Sequence, residues 1–164
     1  MAELSRERAD LVESLQTQRH FLRRSVEGLT DEQASLRPTA SELCLAGLVK
    51  HTSFIEGLWA RFAVVGPAAH DIDPAEWAAQ WDLAGGETLA DVLARYAEVA
   101  ARTDELAASL DLDAEFPLPE APWFPPGATR SVRRTLTHVI GETAQHAGHA
   151  DILRESIDGR RSMG

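Results

Sequence analysis

One cysteine, Cys44, is all that the 164 residues contain, so an intramolecular disulfide and a cysteine-ligated zinc site are both excluded. Its neighbours Leu43 and Leu45 give it the setting of a small buried hydrophobe rather than of a nucleophile. No run of about 18 apolar residues and no secretory h-region is found, so a spanning helix or leader is not expected, and a reducing cytoplasm is the expected compartment. Positive charge is also scarce. Sixteen basic residues face 26 acidic ones, and the net charge of -10 repels phosphate backbones and anionic membranes, which argues against nucleic acid or a membrane as partner. Lys50 is the only lysine, and the arginines are scattered rather than gathered into a patch. Several chemistries lack their signatures: there is no Gly-x-Ser-x-Gly elbow, no His-Glu-x-x-His zincin motif, no glycine-rich phosphate loop and no Glu-x-x-His pair of the di-iron type. Internal repeats and low-complexity segments are absent too.

What is present is helical periodicity. Over residues 4–29, Leu11, Leu15, Phe21, Leu22, Val26 and Leu29 recur at mostly helical intervals among charges, with Gly28 and Thr30 closing the segment. Thr30 with Gln33 has the spacing of a capping box, and Pro38 breaks the chain. A second helix over 43–65, ended by Gly66-Pro67, carries Leu45, Leu48, His51, Ile55, Leu58 and Phe62 on one face, so His51 points with the core residues. The acidic connection over 67–86 has room for a short helix. Its Trp77 and Trp81, four apart, are expected to pack against the bundle, with the wall of a ligand pocket as the alternative. Thr88 with Asp91 opens a third helix reaching residue 110. Prolines 117, 119, 122, 125 and 126 make 111–127 an extended connection and a candidate lid. Ser131 caps a last helix to Asp158, stopped by Gly159. Four long helices and no convincing strand predict an all-α four-helix bundle with a long proline-rich connection before the last helix, forming a single domain over 1–164.

The chemistry concentrates on that last helix. Glu142, His146 and His149 follow one another at steps of four and three, and His138 stands one turn earlier, so all share a face. A carboxylate and two imidazoles are ligand types that divalent metals accept. One helix rarely completes a coordination sphere, and core-facing His51 is the best partner, giving the set His51, Glu142 and His146. The plainer alternative is a solvated face with an ordinary carboxylate–imidazole contact, and for His51 a core imidazole satisfied by a nearby oxygen. Gly148, Ala147 and Ala150 favour the metal, because so little bulk beside the histidines suits a helix that is closely approached. Three protein ligands would leave a position for water or substrate, as in catalytic zinc sites. Two histidines and a carboxylate also describe the facial triad of non-haem iron oxygenases.

The stretch from Pro125 to Arg133, the run His138-Val139-Ile140-Gly141-Glu142-Thr143-Ala144-Gln145-His146-Ala147-Gly148-His149 and its continuation to Gly159 resemble the mycothiol-dependent branch of the DinB-like superfamily. Gly47-Leu48-Val49-Lys50-His51, with Glu56 and Trp59, is similar to that family's second helix. The resemblance implies a DinB-like bundle with one divalent metal, zinc foremost or nickel, held by His51, Glu142 and His146, while the facial-triad pattern keeps iron as an option. His149 stands where many relatives have glutamine, which implies a second-sphere position or a substitute ligand. The implied activity is a thiol S-transferase in which mycothiol, activated by the metal, attacks an electrophilic small molecule in a detoxification reaction; the alternative is a non-catalytic, stress-associated metal-binding protein. His149 and Glu56 are the nearest polar groups for proton transfer, and Trp59, Trp77 and Trp81 offer aromatic surface for a homodimer. Arg134 and Gly141 depart from the aromatic and acidic residues expected there, so the pocket wall, and the electrophile with it, can differ.

Overall fold

A computed structural model describes residues 4–162. Six helices follow one another: α1 (Arg6–Ser25), α2 (Asp31–Ala34), α3 (Leu45–Val65), α4 (Pro74–Ala78), α5 (Leu89–Ser109) and α6 (Val132–Asp158). Four of them are long. The bundle closes in the order α1, α6, α3, α5, with the α1–α6, α3–α5 and α3–α6 seams well packed and α1–α5 looser. This is the all-α bundle that the apolar spacings imply.

Local signals fix most of the boundaries. Ser5, Thr30, Asp73, Thr88 and Ser131 each accept a backbone N–H of the helix that follows, and Thr30–Gln33 and Thr88–Asp91 form reciprocal capping boxes. The box at Thr30 opens a single turn only. At its other end α1 stops at Ser25, before the end of the apolar periodicity, because the amides of Val26 and Glu27 tighten onto the carbonyls of Arg23 and Arg24. Gly159, at φ 78°, terminates α6 in the left-handed region.

The core lies in two adjoining clusters. Leu22, Leu45, Leu48, Val92, Tyr96 and Leu153 fill one end, and Leu15, Phe62, Leu136 and Val139 the other. Between helices α1, α3 and α5 runs a buried ionic network. Arg19 grips Glu56 with two bonds, Nε to Oε2 at 3.1 Å and Nη2 to Oε1 at 2.5 Å, and reaches Asp104 with Nη1 at 2.7 Å. Glu56 is fully buried. It is therefore a structural partner of Arg19, not the proton-transfer group that its place on the second helix suggests.

Strand structure escaped the sequence pattern. Three-residue strands β1 (Glu115–Pro117) and β2 (Thr129–Ser131) pair antiparallel and bracket the proline-rich stretch. Segments this short hold no periodicity to read. Phe116, Leu118 and Phe124 pack against the core, and Phe116 fills the space where a side chain on Gly66 would stand, at 2.7 Å from its Cβ position. The stretch is thus stapled to the bundle at several points, contrary to what a freely moving lid requires. Among the described residues, no helix is long and apolar enough to cross a membrane.

Candidate metal centre

His51 sits two turns into α3, on the stripe that faces α6. Glu142 and His146 come from the matching level of α6, one turn apart. One potential ligand atom from each of the three lies within 4.8 Å of the other two. The rings of His51 and His146 meet edge to face at 4.8 Å between centroids, and His146 Nε2 is 3.6 Å from Glu142 Oε2. Both imidazoles are buried, whereas the Glu142 side chain keeps 29 % of its exposure, so the cluster opens toward solvent on the carboxylate side.

The protonation states favour a cation. Burial lowers the pKa of His51, opposed by its hydrogen bond to Gln80. Burial, followed by the proximity of His51 and His149, brings His146 down to about 4. Both rings are therefore neutral at neutral pH and carry the lone pair that a metal needs. Two neutral imidazoles and a carboxylate drawn together with one open side fit a divalent ion.

Gln80, which sequence reasoning did not select, sets the tautomer of His51. Its amide Nε2 donates to the Trp77 carbonyl at 2.6 Å, and this forces Oε1 toward His51 Nδ1, also at 2.6 Å. An amide oxygen only accepts, so Nδ1 carries the proton and Nε2 is left free to ligate. The backbone explains how Gln80 arrives there. Residues Ala79–Trp81 form a 3-10 turn, and the Trp81 carbonyl lies 1.9 Å from where a Cβ on Gly47 would be. Only glycine at 47 lets the turn seat on α3, one helical turn before His51. Trp81 then stacks flat on the His51 ring, centroids 3.8 Å apart. Both tryptophans of the connection pack against α3 as expected, Trp77 on Phe54 at 5.8 Å and Trp81 on His51, and because Trp81 covers His51 it also flanks the cluster. Gln80→Leu is expected to weaken metal affinity about 10- to 100-fold, measured by competition with a chromophoric chelator.

His149 belongs outside the cluster. Its Nδ1 is 3.5 Å from Nδ1 of His146, on the ring edge away from Glu142, so it backs the His146 ring. His138 Nε2 approaches Glu142 Oε1 at 3.9 Å from the other side. The small residues beside the histidines play only part of the expected role. Ala147 and Ala150 are buried, but nothing lies within 4 Å of a Cβ placed on Gly148 or Gly141, so no close approach demands those glycines. Trp59 is buried, which takes it out of the aromatic surface expected for self-association.

A pH dependence follows. Burial, then Arg130 and Arg134, hold His138 at about 4, and His146 stands at about 4 as well, against 6.5 for an unperturbed imidazole. Between these values the unfolded chain binds more protons than the folded one, so the stability of the metal-free protein falls as pH drops from about 6.5 toward 4. Thermal melts across this window are expected to show the decline, and His146→Gln to flatten it.

The profile of the mycothiol S-transferase family matches residues 10–159. The chain belongs to that family. None of the curated proteins matches it. Among solved structures, the bundle is similar to a conserved protein from Enterococcus faecalis at a TM-score of 0.65, covering 92 % of this chain and 96 % of that one at 16 % identity, a likeness of fold alone. Family membership makes the α3–α6 cluster the place to look for transferase chemistry.

Proposed function

We propose that the protein is a divalent-metal-dependent S-transferase that joins a low-molecular-weight thiol, mycothiol, to an electrophilic small molecule. The convergence of His51 with Glu142 and His146 carries this reading, and the family match supports it. His51, Glu142 and His146 are its metal ligands, and zinc suits two imidazole nitrogens and a carboxylate oxygen. When bound, such an ion supplies the Lewis acidity that makes a thiol ionise at neutral pH.

The remaining contributions come from the chain. Gln80 holds the His51 ring in its ligating tautomer, so no reorientation accompanies metal uptake. Trp81 covers one face of that ring and keeps water from it. His149 buttresses His146. The exposed edge of Glu142 marks the side on which thiol and electrophile can enter. Detoxification of reactive electrophiles is the role that such chemistry serves.

The test is direct. Zinc-loaded protein is mixed with mycothiol and monobromobimane, and formation of the fluorescent thioether is followed. Protein-dependent conjugation that stops when the metal is chelated is the expected result. Conjugation no faster than without protein, with mycothiol, cysteine or glutathione, would replace this reading with that of a metal-binding protein without turnover.

A further inference from the structure

Beside the metal cluster lies a second concentration of polar groups. Arg130, on β2, lays its guanidinium over the Trp59 ring at 4.4 Å, with Phe124 at 5.6 Å. Its Nη1 is buried and has no hydrogen-bond partner. Partial burial, then the like charge of Arg134, lowers its pKa. Arg130 as a whole is half-buried, and in a chain with ten more acidic than basic residues an inaccessible guanidinium N–H left without an acceptor is costly unless something anionic completes it.

Two imidazoles share the aromatic ring on which Arg130 lies. His70, in the 3-10 turn Gly66–His70, and His138, on α6, meet the same Trp59 ring edge-on at 5.0 and 4.9 Å. The His70 Nδ1 is likewise buried and unpartnered. An aromatic floor, one planar cation and two imidazole edges match a single planar anion better than a multiply charged one. His138 is also the neighbour of Glu142, so the subsite adjoins the metal cluster directly.

We propose that Arg130, seated on Trp59 and flanked by His70 and His138, binds the carboxylate of the electrophilic co-substrate. The inference rests on the transferase reading for the role of that ligand and narrows the electrophile to small organic acids. The guanidinium orients the acid group while its reactive carbon points toward Glu142 and the thiol.

Two measurements test it. Phenylacetate, an unreactive carboxylate, is titrated into the full chain and followed by tryptophan fluorescence. Saturable binding is expected, weakened about 10- to 100-fold in Arg130→Gln and partly restored in Arg130→Lys, with phenylacetamide failing to compete. Circular dichroism of each variant establishes that it is folded. Equal binding of acid and amide, undiminished binding in Arg130→Gln, or tighter binding of inorganic phosphate than of phenylacetate would overturn the proposal. The second measurement compares chloroacetate with chloroacetamide as electrophiles for the same thiol. In each, the carbon–sulfur bond forms as the carbon–chlorine bond breaks, chloride leaves with the electron pair and the thiol proton passes to buffer. The ratio of kcat/KM for the acid over that for the amide should fall about tenfold or more in Arg130→Gln. An unchanged ratio contradicts the subsite. Failure of the wild type to turn over any electrophile, with phenylacetate binding intact, would overturn the transferase reading and leave the carboxylate subsite standing.

Discussion

His51→Ala is expected to lower metal affinity by about three orders of magnitude, one ligand's share of roughly 4 kcal/mol, and to bring thiol conjugation down to the uncatalysed rate. Glu142 and His146 are neighbours on α6 and remain together in the variant, but α3 supplies no other donor to the cluster. The substitution also strands the Gln80 amide oxygen, whose hydrogen-bonding partner is the His51 ring. His149→Ala is the matching control. Because its ring touches His146 on the edge away from Glu142, its loss should loosen the ligand without removing a donor, a far smaller change. Metal content after dialysis against a weak chelator checks both, and equal retention in wild type and His51→Ala would remove α3 from the site.

Glu56→Ala is expected to cost about 3–5 kcal/mol of stability, the largest effect of any single polar substitution considered. Arg19 and Glu56 have almost no exposure and share two hydrogen bonds, so truncating the carboxylate leaves a guanidinium buried with Asp104 alone. For a chain of this size the melting midpoint should drop by roughly 10 °C or more. Arg19→Met in the same background should recover much of the loss, because it removes the orphaned charge rather than restoring the pair. Metal stoichiometry of the folded variant should stay that of the wild type, which separates this network from the metal cluster. A loss below about 1 kcal/mol would mean that the network contributes no more than surface pairs do.

The bundle could be read from the sequence because its helices are long, amphipathic and punctuated by caps; Thr88–Asp91 and Ser131 mark their helices in plain view. The cluster His51, Glu142 and His146 was legible for a related reason: helical steps of four put Glu142 and His146 on one face, and His51 shares a stripe with Leu48 and Ile55. The second sphere was hidden. Gln80 and Trp81 belong to an irregular connection, where no period says which way a side chain points, and the sign of their docking is a glycine at 47 that the backbone of residue 81 approaches. Arg130 was hidden in the same way, on a strand too short to carry a pattern. Glu56 looked like a site residue because it lies on the right helix, and only the position of Arg19 on α1 assigns it to the core.

In the proposed centre three side chains from two distant stretches of chain hold one ion. Titration of cobalt(II) into the metal-free protein, followed by visible absorption, tests it most directly. Ligand-field bands are expected to saturate at about one equivalent in the wild type and to be lost in His51→Ala, Glu142→Ala and His146→Ala. Bands of undiminished strength in all three variants, or none in the wild type, would contradict it.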